Sequence, residues 1–249
     1  FIENEDGTRT WGGYLEVNKN VLTEDMIISE TYFEEEGDGR RISHVLSDFD
    51  DETGRPGSAT KYNYDGGRLT TTISFDISDL SDINTKSDAF FDELGQDRVT
   101  QTSEFTGPKG KEQLKLVLFD YAEGEDGENR AQSMQVYLYN GDGSIARTLQ
   151  YDIADLVANE DWDSIKQSMA AGSQDQIQHL RIETAYEGKK GKEKVAQAFG
   201  YQDGKIISRD DYVYDAKGRL LRIYSFDTTG LSDADARRRS SSEIVFDNT

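Results

Sequence analysis

The stretch YNYDGGRLTTTISFD, from Tyr62 to Asp76, decides how this chain is read. Leu69, Thr71, Ile73 and Phe75 alternate with Thr70, Thr72 and Ser74, the period of a strand with two unlike faces. Just before them stands Asp65-Gly66-Gly67-Arg68. Two adjacent glycines tolerate the positive φ that a two-residue hairpin loop requires. Tyr62-Asn63-Tyr64 is then the end of the strand that enters the hairpin.

The same pattern returns further along. YLYNGDGSIARTLQYD (Tyr137 to Asp152) and YVYDAKGRLLRIYSFD (Tyr212 to Asp227) each carry Tyr-x-Tyr, a glycine turn and a strand ending in aromatic-Asp. Their turns are one residue longer, with glycine where a bulged loop needs a left-handed residue. Tyr62, Tyr137 and Tyr212 are spaced 75 residues apart. Three such matches at even spacing imply an internal repeat. The rest agrees more loosely. TSEFTGPKGKEQLKLVLFDY (Thr102 to Tyr121) matches IETAYEGKKGKEKVAQAFGY (Ile182 to Tyr201), and SETYFEEEGDGRRISHVLSDFD (Ser29 to Asp50) supplies the first copy. SSSEIVFD (Ser240 to Asp247) resembles the opening strand of a fourth, truncated unit.

The expected fold is mainly β: one antiparallel sheet, open or partly closed, built from three repeats. Each repeat supplies two hairpins and a short helix. The units run approximately over 22–96, 97–171 and 172–239, with a terminal strand at 240–249, all in one repetitive domain spanning 1–249. The second hairpin of each unit turns at Glu36–Gly39, Gly107–Gly110 and Gly188–Gly191. The helices follow each aromatic-Asp. Ile83, Phe90 and Leu94 share a helical stripe after a cap at Ser81 or Asp82, as do Trp162, Ile165 and Met169. The third, Leu231 to Arg239, is short. These helices are expected to lie as lids on the apolar face of the sheet.

The segments YNYDGGRLTTTISFD and YVYDAKGRLLRIYSFD resemble YD repeats, the tyrosine-aspartate repeats of Rhs-type bacterial proteins and teneurins. Tyr62, Tyr64, Asp65, Gly67, Arg68 and Leu69 match that pattern, as do Tyr212, Tyr214, Asp215, Gly218, Arg219 and Leu220. The middle copy has Asn140, Ser144 and Ile145 in place of Asp, Arg and Leu. The resemblance covers about a quarter of the chain. It implies a secreted or surface-exposed β-sheet protein, a shell or scaffold with no enzymatic activity in its repeats, and in some members carbohydrate binding. This chain departs from the family in spacing its signatures between other strands and helices. It also lacks the Pro-rich self-cleavage region, since Pro56 and Pro108 are its two prolines.

Composition narrows the function further. The 249 residues carry a formal net charge of −21, which repels phosphate backbones and anionic membrane. Nucleic acid is therefore not an expected partner. No apolar run approaches the roughly 20 residues of a membrane-spanning helix. There is no cysteine, hence no disulfide and no thiolate metal site. The two histidines, His44 and His179, are read as ordinary polar residues on strand faces. No G-x-S-x-G elbow, P-loop or G-x-G-x-x-G turn marks catalysis, so the chain is not expected to be an enzyme.

Three candidate sites remain. Tyr62, Tyr64, Tyr137, Tyr139, Tyr212 and Tyr214 recur at equivalent places and could stack on a sugar or other ligand; cross-strand packing is the plainer use of the same rings. Asp48, Asp50 and Glu52 concentrate hard oxygens in a turn that calcium would suit, against solvated turn chemistry as the plainer account. No other cofactor is implied. Trp11 and Tyr14, with Ile244 and Phe246, mark the terminal segments as edges for assembly. The expected partners are copies of itself or other surface proteins, and a glycan in the alternative reading. The first residue, Phe1, is not Met and no signal peptide is present, which fits a processed, exported protein and equally a chain trimmed to its ordered part; export is the expectation. The function expected is that of an extracellular or cell-surface structural protein polymerising through terminal strands, with a ligand-binding module as the alternative.

Overall fold

The computed structural model describes residues 2–3, 9–10, 28–36, 39–80, 88–124, 127–157 and 161–238. Strands β1 (Ile2–Glu3) and β2 (Arg9–Thr10) form a small ribbon. Twelve more strands follow. They are β3 (Ser29–Glu36), β4 (Gly39–Phe49), β5 (Pro56–Asp65), β6 (Arg68–Asp76), β7 (Val99–Thr106) and β8 (Gln113–Glu123). Then come β9 (Asn129–Tyr139), β10 (Ile145–Asp152), β11 (Leu180–Glu187), β12 (Lys194–Gln202), β13 (Lys205–Tyr214) and β14 (Leu220–Asp227). They form one antiparallel sheet in strict sequence order from β3 to β14, and the sheet is not closed. Four strands fall to each repeat, as the sequence pattern implies.

The hairpin turns follow their sequences. Gly66 and Gly67 adopt φ of 57° and 75°, the pair of left-handed residues that the short loop demands. In the longer loops the aspartates tie the turn down. Asp142 accepts from the Ser144 amide at 2.9 Å and its hydroxyl at 2.6 Å, and Asp215 accepts from the Arg219 amide at 2.8 Å. The turn between β3 and β4 includes residues 37 and 38, outside the described residues.

The chain divides into two compact units, one of residues 1–62 and 74–94, the other of 63–73 and 95–249. In the first, Leu46, Ala59, Phe75, Ile77, Phe90 and Phe91 are buried. The expected helix here is a 3-10 turn at Asp88–Asp92. Ile83 and its cap lie outside the described residues. Phe90 and Phe91 are consecutive and both buried, so two neighbours on one tight turn make the core contact, not a spaced helical stripe. His44 is no ordinary surface residue. Its ring stacks on Tyr32 with centroids 4.4 Å apart, meets Phe90 and Phe91 edge-on, and is 1% exposed.

In the second unit, one face of the sheet carries a core of Leu116, Met134, Val136, Leu149, Tyr151, Leu180, Phe199, Tyr201 and Ile206. Helix α1 (Trp162–Ala170) lays Met169, fully buried, into it, with Trp162 and Ile165 against its margin. Burying Met169 stabilises the unit by about 2 kcal/mol. A 3-10 stretch at Gln174–His179 leads to β11. Helix α2 (Asp233–Arg237) is capped by Ser232, whose hydroxyl accepts from the Asp235 amide at 3.2 Å, and buries only Ala236. These helices therefore lie where the sequence puts the lids.

Candidate functional site: an open strand edge and a tyrosine face

Met134 and Val136 on β9 point into the core, so Tyr137 and Tyr139 lie on the opposite face by strand alternation. Tyr212 and Tyr214 repeat this on β13. All six tyrosines of the Tyr-x-Tyr pairs are half-buried. Burial pushes the Tyr137 hydroxyl pKa up, with Tyr186 of β11 adding to it. Tyr212 is raised by burial, then by Asp210 and Tyr186. In the second and third pairs the second tyrosine has a structural task. Tyr139 donates to the Leu114 carbonyl at 2.7 Å and Tyr214 to the Val195 carbonyl at 2.9 Å. Leu114 and Val195 are each the second residue of their strands, β8 and β12, so the bond recurs with the repeat.

The acidic turn has its own internal use. One oxygen of Asp50 accepts from the Glu52 amide at 3.2 Å, and from the Thr53 amide and hydroxyl at 2.7 Å each. The Thr53 bonds, side chain before backbone, hold the Asp50 carboxyl below the usual carboxylate range. Asp48 has a positive φ of 56° and accepts from the Ser58 hydroxyl at 2.6 Å. Glu52 is exposed in the same turn. Among the described residues no three acidic or histidine side chains gather as metal ligands. Trp11, Tyr14, Ile244 and Phe246 lie outside the described residues.

The feature that the sequence left unmarked is β14. It reproduces β10 position by position, 75 residues on, down to the bulge. Arg147 faces Leu138 as Arg222 faces Val213, with Ala146 and Leu221 in the bulges. The environments are opposite. Thr148 and Tyr151 on β10 are 5% and 2% exposed, whereas Ile223 and Phe226, their counterparts, are 48% and 41% exposed. Leu220 and Leu221 are exposed too. The cause is topological: β10 lies between β9 and β11, and β14 has β13 alone among the described strands. What β10 gains from the following hairpin is specific. Glu193 accepts from the Ile145 amide at 3.2 Å, and Glu183 of β11 pairs with Arg147 at 3.3 Å. Glu112 accepts from the Leu69 amide at 3.3 Å, the same joint one repeat earlier.

Glu183 is also the centre of a buried polar cluster. Its carboxylate takes Arg237 in a two-pronged pair at 3.1 and 2.6 Å, and the Tyr201 hydroxyl at 2.7 Å. Burial alone would raise its pKa; bonds from Arg237 and Tyr201, then the charges of Arg237 and Arg147, outweigh that and hold it low. Burial and Glu183 push the Tyr201 hydroxyl up. Beside the cluster is a cavity of about 20 Å³ bordered by Arg147, Tyr151, Gly172, Glu183, Tyr201 and Arg237. That is room for a single water, not for a sugar ring. No helix among the described residues is long and apolar enough to cross a membrane.

Fold and edge together define the class: an open antiparallel meander of repeated hairpins. No protein-family model and no curated protein sequence matches the chain. Among solved structures it is similar to a protein of unknown function from Bacteroides fragilis, at 12% identity and TM-score 0.29, covering 50% of this chain and 80% of that one. A porin-like protein from Bacteroides uniformis aligns at 11% identity and TM-score 0.27, over 80% of this chain and 76% of the other. A chain of the Photorhabdus luminescens Tc holotoxin pore aligns at 13% identity and TM-score 0.26, over 80% of this chain and 10% of its own length. At such TM-scores these likenesses carry no argument about function.

Proposed function

We propose that this chain is a non-enzymatic structural module of the cell surface or extracellular space that assembles by adding strands at its sheet edges. The observation that carries the reading is β14. Among the described strands it pairs with β13 alone and carries apolar side chains on both faces, and an edge of that kind is a template for another strand. Natural edges are usually blunted by lysine, proline or inward charge; β14 has no lysine or proline, and its charges are Arg222 and, at its last position, Asp227. The YD-repeat signature at Tyr62–Leu69 and Tyr212–Leu220 supports the same reading, since such repeats build shells and scaffolds. Location outside the cytoplasm rests on that resemblance.

Sedimentation and negative-stain imaging across a concentration series test this. Oligomers that grow with concentration, and that Ile223→Lys disperses by placing a charge on the edge, are expected. A single monomeric species at every concentration overturns the proposal.

The placing of Tyr137 and Tyr139, and of Tyr212 and Tyr214, on the face opposite the core favours one second reading, a glycan lying on that face. Glycan-array binding that Tyr137→Ala and Tyr212→Ala abolish would support it, and binding unchanged by both would reject it.

A further inference from the structure

Inside the chain, the last strand of one repeat lies beside the first strand of the next: β6 next to β7, and β10 next to β11. Among the described strands, two of these kinds have no such neighbour. β3, a first strand, pairs with β4 alone, and β14, a last strand, pairs with β13 alone. The first strands are equivalent residue by residue. Each shifts register once, between Tyr32 and Phe33, between Glu104 and Phe105, and between Ala185 and Tyr186. Phe33, Phe105 and Tyr186 then face Ile42, Leu114 and Val195, at the same separation along the chain. Glu30, Thr102 and Glu183 therefore share one position. The first copy is the exposed one. Phe33 is 58% exposed where Phe105 and Tyr186 are half-buried, and Thr31 is exposed where Ser103 is buried. β14 shows the same loss of cover against β10.

The two edges are complementary in charge. At the joint of β10 and β11, Arg147 pairs with Glu183 at 3.3 Å. Their counterparts on the outer strands are Arg222 of β14 and Glu30 of β3. Nearer the hairpin tip the signs are exchanged. Lys190 lies beside the turn that holds Asp142 and Gly143 ahead of β10. The turn ahead of β14 carries Lys217 and Arg219, and β3 ends in Glu34, Glu35 and Glu36. A contact of opposite signs is available at the same place, with the partners reversed. Two β3 edges, by contrast, would set glutamates against glutamates.

We propose that β3 of a second copy of this chain seats on the β14 edge, antiparallel, as β11 seats on β10. In that register Arg222 meets Tyr32, Ile223 meets Thr31, Tyr224 meets Glu30 and Ser225 meets Ser29. These are the counterparts of the pairs from Arg147 and Ala185 to Gln150 and Ile182. Arg222 and Glu30 then stand diagonally on one face, as Arg147 and Glu183 do. The backbone of both edges gains ladder partners. The joint is heterologous, so each added copy presents a β14 of its own. Arg40 stands where Glu112 and Glu193 accept from a strand amide, so the joint between copies lacks that bond and is weaker than the joint within the chain. The proposal rests on the reading of β14 as a strand-accepting edge and names its occupant.

The chain has no cysteine, so one introduced thiol reports on one position. Ser29 and Ser225 are both exposed. Facing Cβ atoms in such a ladder lie about 5 Å apart, within small adjustment of a disulfide. Ser29→Cys chains labelled with heavy nitrogen are mixed in equal amounts with unlabelled Ser225→Cys chains, and sedimentation is run on the same mixtures. Oxidised glutathione takes up two electrons and two protons as each pair of thiols forms its disulfide, and intact mass resolves the dimers. The mixed dimer is expected well above the half share that random pairing gives. Glu30→Cys in place of Ser29→Cys, with its side chain on the other face, should lower that yield. A dominant dimer of two Ser225→Cys chains, or a random mixture, overturns β3 as the occupant and leaves assembly through β14 standing. Oligomers by sedimentation with no disulfide do the same. A monomer by sedimentation with no disulfide overturns the assembly reading itself, and this joint with it.

Discussion

The second and third repeats place a tyrosine hydroxyl at the same point and surround it with different chemistry. In the second, Tyr121 meets the Thr102 hydroxyl at 3.0 Å, a neutral pair. In the third, Tyr201 meets Glu183, a carboxylate 4% exposed that also holds Arg237. The difference tracks the helices. α1 has nine residues and is held largely by Met169, Ile165 and Trp162, with one ion pair from Lys166 to Glu104 at 2.9 Å. α2 has five residues and buries one alanine. A helix that short gains too little apolar burial to dock on its own. It is tied instead by Arg237 to Glu183 and by Arg209 to its last carbonyls. The repeat therefore fixes where a polar group sits, and the helix above decides whether it must be charged.

The largest way to break this contrast is Arg237→Leu. It leaves Glu183 buried with only Arg147, itself half-exposed, as a cationic partner. A loss of roughly 3 kcal/mol is expected by urea unfolding, the lower end for stripping a buried ion pair. Adding Glu183→Thr copies the neutral arrangement of the second repeat and should restore most of that loss. A double variant no better than the single would show that Arg237 acts through something other than the carboxylate. The pH dependence follows with its sign. The folded pKa of Glu183 is depressed, so its stabilisation is complete above the unfolded carboxyl value, about 4.3, and disappears as pH falls through the lower folded value. Glu183→Gln should flatten the acid limb of the stability curve, measured by denaturant midpoints at pH 3 to about 6.

Tyr201→Phe removes the bond donated to Glu183 and the one accepted from Arg237, and leaves the Arg237–Glu183 pair in place. About 2 kcal/mol is expected, between the ion-pair loss and a neutral hydroxyl. Thermal or urea unfolding of the same variant series reads it directly. An effect as large as that of Arg237→Leu would mean that the tyrosine, not the guanidinium, carries the docking of α2.

Much of this architecture was legible from residues a few positions apart. Alternation at Leu69 to Phe75, the glycine turns and the 75-residue spacing of Tyr62, Tyr137 and Tyr212 suffice for twelve antiparallel strands in fours. The cluster was not legible, because its partners are 18 and 54 residues from Glu183 and nothing local sets that glutamate apart from the other acidic residues. The same limit hid His44, whose aromatic neighbours come from β3 and from Phe90 and Phe91. The turn at Asp48 to Glu52 reads as oxygen-rich in one dimension, yet Asp50 spends its carboxylate on Thr53 in three. The exposure of β14 appears only when a strand of sequence equivalent to β10 is seen to have, among the described strands, one neighbour instead of two.

The smallest expected effect is the sharpest check on the comparison, because it isolates geometry from charge. Tyr121→Phe deletes the hydroxyl that meets Thr102 and removes no ionic partner. Thr102 keeps water as an alternative only if its side chain can reach solvent, and it is partly exposed. The cost should therefore be about 1 kcal/mol, the ordinary worth of a neutral hydrogen bond, and independent of pH between 4 and about 8. If repeated position alone set the energetics, Tyr121→Phe and Tyr201→Phe would cost the same. A gap of at least about 0.5 kcal/mol, closing when Tyr201→Phe is made in the Glu183→Thr, Arg237→Leu background, is the outcome that ties the difference to the carboxylate. Equal costs in the native background would mean that the hydroxyl's place in the repeat, and not the charge beside it, sets its worth.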